Sequence, residues 1–359
     1  MRIPLDAPSP DFETLGEVLQ GKKDPERVPF VELGVDREVI RSVTEDLLGE
    51  KWVPPIEDNE EEWWEQLIRF YYRLGYDYVT VWSPWTNLPQ FKERRAQDTA
   101  MLSRGERSWV EEGGGIIKNW KEFHRMPWDQ IGIDLRPYEI VEARLPEGMK
   151  IMASTTLFEM ILERFMGYED LFYLSHDDPD LVKAIFDAWG KKVHEYYEQV
   201  IGLESVGGIF HADDLGYKTA TMLRPQFLRE AVFPWFKKYA ALAHEHGKMY
   251  WYHCCGNVLE VMEDLIEDVN IDAFHSFQDV IIPVSEFKKR YGDRIAILGG
   301  VDMDVLARAS EGELRGYVRQ VLDSCMPRGR YALGSGNTAA NYVPVRNYLA
   351  MLDEGWRYF

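Results

Sequence analysis

The chain has 359 residues and carries 41 Lys and Arg against 61 Asp and Glu, a formal net charge of −20. This balance argues against nucleic-acid binding, which needs a basic face to neutralise phosphates. No apolar run approaches the roughly 18 residues of a membrane span, and we expect no membrane partner.

The three cysteines, two of them adjacent at Cys254 and Cys255, cannot form a disulfide framework. The N-terminal residues lack the apolar core of a secretory signal. We therefore expect a cytoplasmic protein whose thiols are free for metal binding or chemistry.

Residues 1–76 form an N-terminal segment in which an acidic run leads into a predicted helix over 60–74, followed by a predicted strand over 77–82. Residues 83–146 are less regular. They contain Trp109, Trp120 and Trp128 and a Gly run at 113–115, which indicate a hairpin insertion.

From residue 147 to 359 short β-branched or aromatic runs alternate with amphipathic helices. Strands are predicted at 150–154, 208–210, 248–255, 271–277, 294–301 and 331–334. Helices are predicted at 179–201, 225–246, 258–268, 283–291, 311–325 and 344–355. Strand–helix alternation predicts a parallel sheet, and a (β/α)8 barrel is its natural closure. We count seven strands and expect the eighth between 83 and 146, within a single domain.

Reactive residues follow the predicted strands, at the end of a barrel where active sites lie. In an extended strand His253 and Cys255 face one side while Cys254 faces the other. An imidazole and a thiolate that converge are half of a zinc site, although a packed Cys beside a hydrogen-bonded His is the ordinary alternative. The further ligand candidates are His211, Asp213, Asp214, His275, Asp302 and Ser335, and the sequence does not choose among them.

Other residues at these strand ends have candidate roles in catalysis and substrate binding. Asp213 and Asp214 are candidate catalytic residues that could bind substrate, orient a metal ligand or act as acid and base. Trp82 and Trp85 could form an aromatic wall around a methyl-bearing substrate, although core packing also explains tryptophans here. Gln278 and Asn337 complete the predicted substrate-binding set.

Five motifs follow one another after residue 150: His211-Ala-Asp-Asp-Leu-Gly216, His253-Cys-Cys-Gly256, Gln278, Gly299-Gly-Val-Asp302 and Gly334-Ser-Gly-Asn337. Together they resemble the uroporphyrinogen decarboxylase-like superfamily. The resemblance implies a (β/α)8 barrel and one of two activities: cofactor-free tetrapyrrole decarboxylation, or zinc-dependent methyl transfer with a corrinoid (cobalamin) protein as partner.

The resemblance favours the methyltransferase branch. The Arg-rich N-terminal motif of the decarboxylases is missing from residues 1–60, and His253 and Cys255 match two zinc ligands of the methyltransferases. Ser335 stands where thiol-methylating members have a second Cys. This substitution implies a more Lewis-acidic zinc, suited to a small ether or similar methyl donor as in an O-demethylase. A methylcobalamin:thiol methyltransferase, a decarboxylase and a non-catalytic tetrapyrrole or corrinoid carrier remain as alternatives.

Overall fold

The structure is a computed structural model that describes residues 1–111 and 114–359. Its strands fall into one large parallel sheet and two small antiparallel ones. In chain order they are β1 Tyr78–Trp82, β2 Trp85–Thr86, β3 Glu93–Gln97, β4 Glu106–Val110, β5 Gly132–Ile133, β6 Lys150–Ser154, β7 Val206–Ala212, β8 Met249–His253, β9 Ala273–His275, β10 Ala296–Leu298 and β11 Tyr331–Ala332.

The large sheet has seven strands in the order β1-β6-β7-β8-β9-β10-β11, each parallel to the next. The seven strands that the sequence predicted with bounds are all present in this sheet, within a few residues of the expected positions. Alternate side chains such as Tyr78, Phe210, Trp251 and Leu298 pack together in a buried cluster that fills the interior of the sheet. The predicted α/β barrel is confirmed.

The eighth position of the barrel is occupied by the segment around Phe30, which precedes β1. Phe30 and Leu333 form a parallel bridge, and so do Val35 and Ala339. On its other side the segment meets β1 through the Tyr78 hydroxyl, which accepts the N–H of Glu32 at 2.9 Å and donates to its carbonyl at 2.7 Å. The expectation of an eighth barrel strand between 83 and 146 was therefore wrong.

Residues 83–146 form instead an excursion outside the barrel sheet. Strands β2 and β5 pair at its base, and β3 and β4 form an antiparallel hairpin whose side chains are almost all exposed. The predicted hairpin is thus present. Gly113, part of the Gly run that suggested it, lies outside the described residues.

The helices surround the sheet. They are α1 Phe12–Leu19, α2 Arg37–Ser42, α3 Glu60–Leu74, α4 Trp120–Phe123, α5 Arg136–Glu142, α6 Tyr168–Asp177, α7 Pro179–Val200, α8 Pro225–Phe227, α9 Phe233–Glu245, α10 Val284–Tyr291, α11 Met303–Arg308, α12 Glu311–Cys325 and α13 Val345–Trp356. Single π turns cover Val43–Leu47, Met160–Met166, Leu228–Val232 and Asp264–Val269, and 3₁₀ turns cover Glu57–Asn59, Trp128–Gln130 and Leu259–Val261. Within the described ranges no helix combines the length and apolar content that crossing a bilayer requires.

Local signals explain why some helix bounds agree with the prediction and others do not. Helix α12 starts at a capping box in which Ser310 and Glu313 exchange side-chain to backbone hydrogen bonds. Helix α3 ends at Gly75, whose φ of 89° is left-handed. The helix expected over 225–246 is divided by a π turn because Pro234 has no N–H to continue the α-helical ladder.

Candidate metal centre

His253 and Cys255 converge at the carboxyl end of strand β8. His253 is the last residue of this fully buried strand, and the Cys255 Sγ lies 3.5 Å from its Nε2. The intervening Cys254 faces away and its Sγ accepts the N–H of Leu215 at 3.2 Å. The two side chains therefore lie together at the carboxyl end of the barrel.

Asp214 completes a cluster of three metal-ligating side chains. Its Oδ1 lies 3.4 Å from His253 Nε2 and accepts the backbone N–H of Cys255 at 2.7 Å. This approach depends on Gly256, whose φ is +82° and where a Cβ would lie 2.2 Å from the backbone of Gly216. The loops after β7 and β8 can thus touch, which brings the carboxylate to the thiol.

The geometry of the cluster fits zinc. One ligand atom from each of Asp214, His253 and Cys255 lies within 4.8 Å of the others. A tetrahedral ion with bonds of 2.0–2.3 Å has ligand atoms roughly 3.3–3.7 Å apart, and the separations of 3.4 and 3.5 Å around His253 Nε2 match this spacing. Nitrogen, sulfur and oxygen donors are also the set that zinc accepts.

Burial and charge act on the protons of this cluster. Burial opposes ionisation of Asp214, but the hydrogen bond and charge of His253 and the Cys255 N–H outweigh it and lower the pKa of the carboxyl. Burial and the Asp214 carboxylate together raise the pKa of the Cys255 thiol. A bound cation would oppose both effects on the thiol, because it stabilises a thiolate directly.

Polar side chains surround the Cys255 sulfur and the His253 ring. Asn337 donates through Nδ2 to Cys255 Sγ at 3.0 Å, and Ser276 Oγ lies 3.5 Å from the same sulfur. His275 faces the other side of His253, with the two Nδ1 atoms 2.6 Å apart. Asn337 and His275, both predicted to serve the site, thus adjoin the ligands without belonging to the cluster.

Asp213 and His211 lie outside the cluster, although the sequence offered both as site residues. Asp213 is fully buried and accepts the N–H groups of Leu157 and Glu159 at 2.8 and 2.9 Å, and His211 Nε2 lies 2.8 Å from the same carboxylate. The His211 ring packs against Phe236, between the sheet and the helices. Asp213 therefore holds the loop after β6 in place and does not face the barrel mouth.

Asp302 and Ser335 have hydrogen-bond partners in neighbouring parts of the chain. Asp302 caps α11 by accepting the N–H of Asp304 at 2.8 Å and also accepts that of Asp279 at 2.9 Å. Ser335 donates its hydroxyl to Glu32 Oε2 at 2.6 Å. The roles of these two oxygens as further metal ligands stay predictions.

The predicted substrate-binding residues are distributed over two cavities. Trp82, 44% exposed, lines a cavity of about 460 Å³ together with Trp85, Glu159 and Glu163. The indole of Trp85 also packs on Trp189 at a centroid distance of 4.6 Å, as core packing predicts. Gln278 lines a cavity of about 20 Å³ beside Ser276, which is room for about one water molecule. The substrate-binding roles of these residues stay predictions.

Glu159 and Glu32 were missed by the sequence reasoning. Burial, followed by the charges of Asp214 and Asp213, raises the pKa of Glu159 well above its usual range. Glu159 lies five residues after the end of β6. Reactive residues are expected at the carboxyl ends of the barrel strands, and the same expectation for the loop after β6 would have found Glu159. Glu32 is buried against Ser335 on the strand that closes the barrel, and the short apolar run Phe30-Val-Glu-Leu33 is the local signal that could have marked this strand.

A family model described as uroporphyrinogen decarboxylase (URO-D) matches residues 138–358, more than half of the chain. The chain belongs to this family. The resemblance found in the motifs is therefore confirmed, and the matched region of this URO-D protein contains all three residues of the cluster. No curated protein matches its sequence.

Two solved structures are similar to this chain at low sequence identity. A methyltransferase from Methanosarcina mazei has a TM-score of 0.68 and 15% identity, with 97% of this chain and 98% of that chain covered. An exo-beta-1,4-mannosidase from an Opitutaceae bacterium has a TM-score of 0.40 and 12% identity over 88% of this chain and 53% of its own. At 15% identity the methyltransferase shows that the URO-D protein shares its barrel fold.

Proposed function

We propose that this chain is a zinc-dependent methyltransferase that moves a methyl group between a small substrate and a corrinoid protein. The observation that carries the proposal is the cluster of Asp214, His253 and Cys255 at the mouth of the barrel. Three protein ligands with one side turned to solvent are what a catalytic zinc site requires. The Asp214 side chain is 31% exposed, so a substrate atom can reach the cluster.

The three ligand atoms would be His253 Nε2, Cys255 Sγ and Asp214 Oδ1. Zinc bound there would serve as a Lewis acid that stabilises negative charge on the heteroatom losing its methyl group. Asn337 holds the Cys255 sulfur in place by its hydrogen bond. The cavity beside Trp82 would receive the organic part of the methyl donor and orient its methyl group.

The composition of the ligand set favours an ether or similar donor. One thiolate with an imidazole and a carboxylate leaves zinc a harder acid than two thiolates would. Such an ion suits polarisation of an oxygen leaving group, as in O-demethylation. Methylation of a thiol by methylcobalamin is the second candidate for the same site.

Decarboxylation of a tetrapyrrole is less well supported. A polycarboxylate substrate needs cations to bind it, whereas the cluster at this end of the barrel carries the Asp214 carboxylate, whose pKa is lowered. Like charges at a binding site oppose association.

Metal content tests the proposal. Protein purified without chelator is analysed by inductively coupled plasma mass spectrometry as wild type, Cys255→Ala and Cys254→Ala. We expect about one zinc per chain in wild type, loss in Cys255→Ala, and retention in Cys254→Ala, where the neighbouring thiol faces away from the cluster.

A methyl-transfer assay follows the metal analysis. Wild type, methyl donors and Co(I) cobalamin are mixed, and formation of methyl-cobalt is followed by absorbance. Absence of zinc from wild type after zinc has been supplied, or unimpaired transfer by Cys255→Ala, would refute the proposal.

A further inference from the structure

We infer that Glu159 is a substrate-contacting residue that selects neutral methyl donors carrying a hydroxyl group beside the reacting heteroatom. The inference rests on the proposed function and adds the chemical class of the methyl donor to it. It is carried by a carboxyl group that borders both the cavity beside Trp82 and the metal-ligating cluster, and to which no side chain among the described residues forms a hydrogen bond.

Glu159 lies between the cavity and the cluster. It lines the cavity of about 460 Å³ together with Trp82 and Trp85. Burial raises the pKa of its carboxyl most, and the charge of Asp214 adds to the shift, so the two carboxyl groups are close neighbours. A donor whose heteroatom reaches the cluster and whose organic part fills the cavity must therefore pass along Glu159.

The backbone at Glu159 is held in place by a buried chain of hydrogen bonds. Its N–H donates to the Asp213 carboxylate at 2.9 Å, and the same carboxylate lies 2.8 Å from His211 Nε2. The Tyr197 hydroxyl lies 2.9 Å from His211 Nδ1 and joins the chain to helix α7. These three side chains are fully buried. A contact residue whose backbone is fixed before the ligand arrives loses little conformational entropy on binding.

The Glu159 carboxyl has hydrogen-bonding capacity that the protein leaves unused. No hydrogen bond joins it to a side chain of the described residues, and only the backbone N–H of Asp214 acts on it as a donor. A hydroxyl group can donate to a carboxylate and can accept from a carboxylic acid. A hydroxyl on the ligand therefore pairs with Glu159 whether or not the carboxyl carries a proton.

The charges around this cavity favour a neutral ligand. A carboxylate on the ligand would lie near the charge of Asp214, because Asp214 adjoins Glu159. An ammonium group would lie near Arg164, which lines the same cavity. Like charges at a binding site oppose association, so ligands of either charge are disfavoured. The apolar part of a neutral donor can pack on the exposed indole of Trp82.

Binding of a matched pair of ethers tests this selectivity. The pair is trans-2-methoxycyclohexanol and methoxycyclohexane, which lacks the hydroxyl. Their dissociation constants are measured by saturation-transfer difference NMR on the protein as purified, without cobalamin. Wild type should bind the hydroxylated ether about 3- to 10-fold more tightly, as expected for one additional hydrogen bond. Equal affinity for the two ethers, or no binding of trans-2-methoxycyclohexanol, would overturn the inference.

Variants assign the selectivity to one side chain. Glu159→Leu removes the hydrogen-bonding group and should bring the ratio of the two dissociation constants to about 1, whereas Glu159→Gln, whose amide can donate and accept, should retain the preference. Glu163→Leu removes the other carboxyl that lines the cavity and is the matched control, which should also retain it. A Glu159→Leu protein that is folded by circular dichroism and still prefers the hydroxylated ether would overturn the inference.

Zinc content, measured on the same samples, separates this selectivity from the proposed function. A protein that prefers the hydroxylated ether but binds no zinc refutes the proposed function alone. A protein that binds zinc and transfers methyl groups but has no preference between the two ethers refutes the selectivity alone.

Discussion

Replacement of Glu32 by Gln should make the protein more stable at alkaline pH. Burial raises the pKa of Glu32 from 4.5 to about 8, although the hydrogen bonds from Ser335 oppose the shift. In the folded protein the group therefore keeps its proton up to about pH 8, whereas in the unfolded chain it loses the proton near pH 4.5. Gln resembles the protonated acid, since it can accept the Ser335 N–H and donate to the hydroxyl.

The sign and size of the effect follow from this difference. Below pH 4.5 both states are protonated and the contribution of Glu32 to stability is fully present. As pH rises from about 4.5 to about 8 the wild-type free energy of unfolding falls by about 1.4 kcal/mol per pH unit, or about 4–5 kcal/mol in all, and then levels off. Glu32→Gln lacks this loss, so its advantage over wild type should grow across the same interval.

Urea denaturation followed by tryptophan fluorescence at pH 5, 6.5 and 8.5 measures the difference. Chelator is present throughout so that metal binding does not contribute to stability. Glu17→Gln, an exposed change on α1, is the control and should leave the pH profile of wild type unaltered. An offset between Glu32→Gln and wild type that is the same at pH 5 and pH 8.5 would refute the reasoning.

Three further changes test the barrel closure and the site. Tyr78→Phe removes the hydroxyl that joins Glu32 to β1 and leaves the buried N–H and carbonyl of Glu32 unpaired. The free energy of unfolding, measured by thermal unfolding, should fall by about 1–3 kcal/mol. An unchanged melting temperature would contradict this role. Gly256→Ala places a Cβ 2.2 Å from the backbone of Gly216 and should lower the zinc content of the protein. Gly247→Ala, at a similar φ but with nothing within 4 Å of its Cβ, is the control. Equal zinc content in both variants would show that the close approach of the two loops is not needed for zinc binding. Asn337→Ala removes the hydrogen bond to Cys255 Sγ and should shift the thiolate-to-metal absorption band of Co²⁺-substituted protein. An unshifted band would show that the hydrogen bond has no effect on the sulfur.

The sequence was sufficient for the seven strands of the large sheet and for two of the three cluster residues. Strands such as β6 and helices such as α12 carry strong periodicity and caps, so their bounds agree with the prediction. His253 is the last residue of β8 and Cys255 follows two positions later, so the side-chain alternation of an extended chain was enough to predict that they converge.

The third cluster residue depended on contacts that local patterns do not contain. Asp213 and Asp214 are adjacent and chemically alike, and the choice between them is made by the close approach of Gly216 and Gly256. The closing strand around Phe30 was missed for the same reason. It is short, and its partner Leu333 lies about 300 residues away in the sequence.

That distance sets the order in which the protein can fold during its synthesis. The segment around Phe30 leaves the ribosome early, but its pairing partner Leu333 emerges only after nearly the whole chain has been made. Until then the edge of the Phe30 segment that pairs with Leu333 is open, and Glu32 has no Ser335 to accept from. Barrel closure is therefore a late step with a large loop-closure cost, and the nascent chain presents an open sheet edge of the kind that invites aggregation or chaperone binding.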